Sequence, residues 1–232
     1  MKIKKPNLQI AIDGPVGAGK SIGAYEVAKK LNIFYVNTGA MYRAVAWVGL
    51  KNGLDLKKEG PLIKLLKRTK IRLKKSSKRN IIYDVFVNGK NMTSQLFSSR
   101  VHWGSSQVSI FPKVRKFLVK LQQEIAENQS VIMEGRDIAT IVLPNADLKI
   151  YMTADLNKRA KRRLKDLSER GEKVSLTAVI KEIKKRDYND THRKLDPLKI
   201  ATNAWVLDTT NLTIKEEISL ILKKLKNLGL IE

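Results

Sequence analysis

The sequence predicts an α/β fold built on a parallel sheet, and three observations lead there. Apolar runs of strand length recur at residues 8–12, 33–36, 130–133, 148–152 and 204–207. Stretches with helical spacing of apolar residues separate them. A glycine-rich turn, not a hairpin turn, joins the first run to the first helix. Strand, glycine turn, helix and strand in that order is the rhythm of βαβ units and a parallel sheet.

The first run ends at Asp13-Gly14-Pro15 and reads as a buried strand entering a turn. Val27, Ala28 and Leu31 fall at helical spacing, so a helix opens where the glycines end, near Gly19. After the strand at 33–36, Thr38 reads as the N-cap of a helix carrying Met41, Val45 and Val48 and closing near Gly53. The middle of the chain differs. Ile71-Arg72-Leu73, Ile81-Ile82-Tyr83 and Val85-Phe86-Val87 are short β-like runs, and Asn88-Gly89 is a tight-turn signal. They predict a small antiparallel insertion over residues 62–100. A helix runs from Pro112 through Val114, Leu118, Leu121 and Ile125. Asp155 caps a very basic helix over 158–167, which Ser168-Glu169-Arg170-Gly171 breaks. A second basic helix follows over 175–187, and the pair reads as a helical hairpin with a mobile tip, a lid. A final strand at 204–207 and a helix at 213–228 complete the chain, with no internal repeat.

Composition bounds the function. With 232 residues, 43% hydrophobic and 29% charged, the chain is long enough for one α/β domain with an inserted piece. It has no cysteine, which excludes disulfides, zinc fingers and thiol catalysis. The basic N-terminus precedes no apolar signal core, and no run of 18 apolar residues occurs, so a soluble cytoplasmic protein without membrane partners is expected. The net charge of +24 admits nucleic-acid binding. Its lysines are spread through the whole chain without an aromatic RNA-reading motif, so a lysine-rich surface is the preferred reading. His102 and His192 lack metal-binding partners at suitable spacing, and Trp47, Trp103 and Trp205 read as packing residues.

Gly14-Pro15-Val16-Gly17-Ala18-Gly19-Lys20-Ser21 matches G-x-x-x-x-G-K-[ST] at every fixed position, between a predicted strand and a predicted helix. This is a P-loop. Its glycines let consecutive N–H groups curl toward phosphate oxygens, and the helix N-terminus adds its positive dipole end. Lys20 is placed for the β- and γ-phosphates and Ser21 for Mg²⁺, which implies ATP or another nucleoside triphosphate. Arg43, in Thr38-Gly39-Ala40-Met41-Tyr42-Arg43, and Arg136, in Glu134-Gly135-Arg136-Asp137, follow predicted strands. Ligands gather at such strand ends, and both arginines suit forked hydrogen bonds to a further phosphate. Arg186 to Arg193 close the second lid helix.

Taken together, these segments resemble bacterial cytidylate kinases. Asp13-Gly14-Pro15, the P-loop, Asn37 to Ala44, Glu134 to Asp137, Arg186-Asp187 with Asp190 and Arg193, Pro197-Leu198, and Leu207 to Leu212 occur in that family's order across residues 8 to 225. The resemblance implies the three-layer P-loop fold with a central five-stranded parallel sheet. The core would be residues 1–61, 101–154 and 200–232, the monophosphate-binding insertion 62–100, and the lid region 155–199. It implies ATP as donor, Mg²⁺ as cofactor, CMP and dCMP as acceptors, and a monomer. Thr38 and Tyr42 would belong to the acceptor site. Arg43, Arg136 and Arg193 would hold the acceptor phosphate, while Ser106, Arg115 and Asp137 read cytosine, and Arg186 with Asp190 holds the sugar. Arg159 and Arg163, four apart on one helix, would cover adenine and reach the ATP phosphates. Lys20, Arg136, Arg163 and Arg193 would be catalytic. Departures from the family pattern are Ile22, Asn37, Glu134, Ala139 and Asn189. Two other readings stay open on the residues alone: a P-loop kinase preferring UMP or AMP, and a basic nucleic-acid-binding NTPase.

Overall fold

The computed structural model describes residues 1–76, 83–169 and 171–232. The expected run at Ile81-Ile82 and the Arg170 position of the helix break lie outside the described residues. The fold is α/β, with a five-stranded parallel sheet in the order β2-β6-β1-β7-β8 and a separate three-stranded antiparallel sheet, β3-β4-β5. These strands are β1 (Gln9–Asp13), β2 (Phe34–Asn37), β3 (Ile71–Lys75), β4 (Tyr83–Val87), β5 (Lys90–Asn91), β6 (Val131–Gly135), β7 (Leu148–Thr153) and β8 (Trp205–Asp208). The chain forms two compact units, Met1–Ile33 with Ser130–Glu232, and Phe34–Gln129.

In the first unit β1 is central because both its faces are apolar. Ile10, Ala11 and Ile12 are fully buried, as a parallel strand covered on two sides requires. Its register sets Asp13 opposite Gly135 of β6 and Tyr151 of β7, so β1 and β6 finish at one level and β7 runs two residues past them. The P-loop leaves β1 there and leads into α1 (Lys20–Leu31). Behind α1 packs α8 (Ile214–Asn227), held at its start by a capping box. Thr213 Oγ1 accepts from Glu216 N, and Glu216 Oε2 accepts from Thr213 N at 2.8 Å. The lid hairpin is α6 (Leu156–Ser168) and α7 (Leu176–His192), which share a small core of Ala160, Leu167, Val179 and Ile183. Asp155 caps α6 as expected, and α7 runs five residues past its expected end at 187.

The second unit holds α2 (Thr38–Lys51), α3 (Glu59–Leu66), the antiparallel sheet, α4 (Ser99–Val108) and α5 (Pro112–Glu127). Helix α2 is capped by Asn37, whose side chain accepts from Ala40 N at 2.8 Å, and Thr38 is its first helical residue. The expected Thr38 cap is therefore displaced by one residue, because the Asn37 side-chain oxygen takes the free Ala40 amide. Asn88 and Gly89 have φ of 50° and 82° and form the two-residue turn between Val87 and Lys90, as their sequence signals. Helix α4 lies close on α2. A Cβ at Gly104 would stand 2.5 Å from Leu56 Cδ1 and 3.1 Å from Ala46 Cβ, so this crossing needs glycine. Neither α3 nor α4 is apparent from periodicity alone.

The cap on α8 gives the first test. Thr213→Ala removes the side-chain acceptor and is expected to lower unfolding stability by about 1 kcal/mol in urea denaturation.

Candidate functional site

The peptide planes of the P-loop are fixed one carbonyl at a time. Lys20 Nζ donates to Gly14 O at 2.8 Å and to Pro15 O at 2.7 Å. Arg159 Nη1 donates to Val16 O at 3.1 Å, and Thr209 Oγ1 donates to Ala18 O at 2.9 Å. Gly23 N closes the first turn of α1 on Gly19 O. A trans peptide points its N–H opposite its C=O, so tying these oxygens also aims the following amides. Gly14 lies at φ 147°, and a Cβ there would sit 1.9 Å from Met152 O, so the loop crosses β7 only as glycine.

Around this loop charged groups are paired and dry. Burial pulls the Lys20 pKa down to about 7, with Arg136 acting in the same direction. Ser21 Oγ donates to Glu134 Oε1 at 2.8 Å. Asp13, 1% exposed, accepts from Ile138 N and Ala139 N, both at 2.8 Å. Burial pushes its pKa up to about 6 against those two bonds. Asp13 thereby anchors the wide turn Ile138–Val142 that follows Arg136 and Asp137. Arg136 Nε donates to Asp190 Oδ2 at 2.6 Å. Burial is the largest influence and would lower the Arg136 pKa, but Asp190, by charge and hydrogen bond, together with Glu134 and Asp187 turns the net shift upward. Burial likewise opposes ionisation of Asp190, yet Arg136 and Arg186 carry its pKa below the ordinary value. Arg193 lies 3.5 Å from Asp137 Oδ2, and its Nε donates to Asp196 O at 2.7 Å.

The lid contributes two straps. Arg159 bonds Ala154 O and Val16 O and pairs with Asp187 Oδ2 at 2.6 Å, while Asp187 Oδ1 faces Val16 N at 3.4 Å. Arg162 donates to Thr209 Oγ1 at 3.0 Å and to Thr209 O at 2.7 Å. Arg163, one turn beyond Arg159, is half-buried on α6.

In the second unit Thr38, Tyr42 and Arg43 lie on α2, Ser106 on α4 and Arg115 on α5. Arg115 is 2% exposed and donates to Tyr42 Oη at 3.2 Å. Arg43 Nη2 donates to Tyr83 Oη at 2.8 Å, and its guanidinium carbon lies 5.9 Å from the Phe97 ring centre. Thus the expected residues fall into two groups, each on its own unit. One comprises Lys20, Ser21, Arg136, Asp137, Arg159, Arg163, Arg186, Asp190 and Arg193 with the P-loop. The other is Thr38, Tyr42, Arg43, Ser106 and Arg115.

The family profile described as cytidylate kinase matches residues 10–227. The chain belongs to the cytidylate kinase family. The cytidylate kinase of Desulfitobacterium hafniense is 44% identical over 218 residues, covering 94% of this chain and 92% of that protein. That of Caldicellulosiruptor bescii is 43% identical over 216 residues, covering 93% and 94%. Among solved structures, an uncharacterized protein from Eubacterium ventriosum shares the fold with a TM-score of 0.52 at 12% identity, covering 95% of this chain and 99% of that one. Within this cytidylate kinase frame, sequence reading assigned no role to five residues that build the site: Asp13, Glu134, Arg162, Asp187 and Thr209. Asp13, Glu134, Asp187 and Thr209 lie in the segments that carry the resemblance, but their partners are distant in sequence.

Asp13→Asn replaces an acceptor of two buried N–H groups by an amide that satisfies only one of them. The expected cost is about 2 kcal/mol of stability, the cost of one buried N–H left unsatisfied, read by thermal denaturation.

Proposed function

We propose that the chain transfers the γ-phosphoryl group of ATP to CMP and dCMP, giving ADP and CDP or dCDP. The observation that carries this reading is the cytidylate kinase match over residues 10–227, on a chain whose P-loop is intact. A phosphate oxygen of the acceptor attacks the γ-phosphorus, and the bond to the β-phosphate oxygen breaks with its electron pair leaving on ADP. The acceptor phosphate is already anionic at neutral pH, so no general base is required. The protein's work is alignment and charge stabilisation in a site closed to water.

In this reading residues 14–21 cradle the donor phosphates and Lys20 follows the transferring group. Arg163 reaches the ATP phosphates, and Arg159 reaches them through the loop it ties down. Arg43, Arg136 and Arg193 hold the acceptor phosphate, Arg186 and Asp190 the sugar. Thr38 and Tyr42 line the acceptor site, where Ser106, Arg115 and Asp137 read cytosine. An Asp accepts from the cytosine amino group and opposes the uracil carbonyl.

Mg²⁺ fits the donor set near the loop. Ser21 Oγ and Glu134 Oε1 are oxygen donors 2.8 Å apart. No group of three or more His, Cys, Asp or Glu that could hold a metal exists among the described residues. Ser21, with Glu134, would hold it, and the ion supplies charge neutralisation on the donor phosphates. No helix among the described residues is long and apolar enough to cross a membrane. We further read the enzyme as a cytoplasmic monomer, which sedimentation and cell fractionation check.

A coupled assay of ADP release across CMP, dCMP, UMP and AMP tests the reading. CMP and dCMP are expected to be the best acceptors, and a preference for UMP or AMP would sink it. Asp137→Ala should cut the CMP-over-UMP preference by about 1–3 kcal/mol, or roughly fivefold to 150-fold in kcat/KM. An unchanged preference would remove Asp137 from base reading.

A further inference from the structure

Behind the P-loop lies a carboxyl group that phosphoryl transfer does not use. Glu217, in the first turn of α8, is 3% exposed, and its Oε1 has no hydrogen-bond partner among the described residues. It presses on the first turn of α1. A Cβ at Gly23 would stand 2.0 Å from Glu217 Oε1, and one at Gly19 would stand 3.1 Å from Oε2. The glycine at 23 is what leaves room for the group. An apolar side chain on α8 would pack there without an unsatisfied oxygen, so the carboxyl is not a packing solution.

The charged neighbours do not neutralise it. From α1 the contact surface is glycine, and Lys20 is turned to Gly14 O and Pro15 O. From α6, Arg162 acts on it, but that guanidinium is bonded to Thr209. On α8 itself, Glu216 is turned to Thr213. Burial pushes the Glu217 pKa up to about 7, with Arg162 opposing.

We propose that Glu217 is a positioning residue for the donor: its charge state, felt through the first turn of α1, sets how tightly residues 14–21 hold a triphosphate. The inference rests on the P-loop being the ATP site. With the carboxyl neutral, the N-terminal end of α1 keeps its full positive potential for phosphate. With it ionised, a negative charge lies beside the same helical turn and opposes the incoming anion. By linkage, ATP binding favours the protonated form and draws a proton from solution near neutral pH.

Glu217→Gln keeps the shape and removes the charge. ATP binding is measured by calorimetry in buffers of different ionisation enthalpy, for wild type and variant, at acid and alkaline pH. The two should bind equally at about pH 6, and the variant about fivefold tighter at about pH 8.5. Proton uptake on binding should be smaller in the variant, and KM for CMP should not move. Lys20, held to about 7, gives both proteins a parallel pH trend, so only their difference reports Glu217. Stability gives an independent check. A carboxyl raised from 4.5 to about 7 contributes stability that is full below pH 4.5 and lost as pH rises through 7. The variant's advantage should therefore grow across that window and stay constant above it. Glu217→Leu, expected to behave alike, serves if the Gln variant does not fold. Equal affinities at alkaline pH, or the same change at both pH values, overturn the proposal. A wild type that binds no ATP at any pH overturns the ATP reading as well, which separates the two failures.

Discussion

A phosphate cradle made of backbone must hold its N–H groups pointing inward, and a chain left to itself would not. The surrounding structure answers that constraint. Four of the P-loop carbonyls, at Gly14, Pro15, Val16 and Ala18, are taken by side chains. Because each peptide is planar and trans, fixing an oxygen fixes the next amide. The side chains come from α1 (Lys20), α6 (Arg159) and the segment after β8 (Thr209). The order of the parallel sheet makes this possible, since β7 lies beside β1 and β8 beside β7.

The same logic extends to the arginines proposed to hold an acceptor phosphate. Arg136 and Arg193 are paired with Asp190 and Asp137, and both pairs are largely withdrawn from water. A buried ion pair contributes little net stability, because desolvation offsets most of the attraction. What it contributes is placement, since each guanidinium has a defined position before any phosphate arrives. Asp13 does similar work on the backbone by fixing the turn that carries Arg136 and Asp137 into place.

Legibility in the sequence followed the range of the interactions. The P-loop, the five strands, the Asp155 cap and the Asn88-Gly89 turn are local patterns, and all appear where the pattern puts them. Helix α3 was hidden because Gly60-Pro61 reads as a break, although proline is well tolerated in a first turn. Helix α4 was hidden because Ser99-Arg100-Val101-His102-Trp103-Gly104-Ser105-Ser106 has poor intrinsic propensity. Its helical state comes from the Ser98 cap and close packing on α2. The straps were invisible for another reason. Asp13 meets Ile138, Thr209 meets Ala18 and Glu217 meets Gly23, and no period of 2 or 3.6 connects partners more than a hundred residues apart.

The charge distribution shows why composition misleads about the site. The chain has only 22 Asp and Glu against 46 Lys and Arg. Six of those acids, Asp13, Glu134, Asp137, Asp187, Asp190 and Glu217, surround the P-loop and the segment after β6, among Lys20, Arg136, Arg159, Arg162, Arg186 and Arg193. A protein of net +24 therefore has a first-unit site rich in acids. The excess charge is carried largely by lysines spread along the chain. A triphosphate entering this site meets cations already engaged by carboxylates or by backbone. Its affinity is then a difference between two sets of contacts, and any acid whose ionisation changes near neutral pH shifts that difference directly.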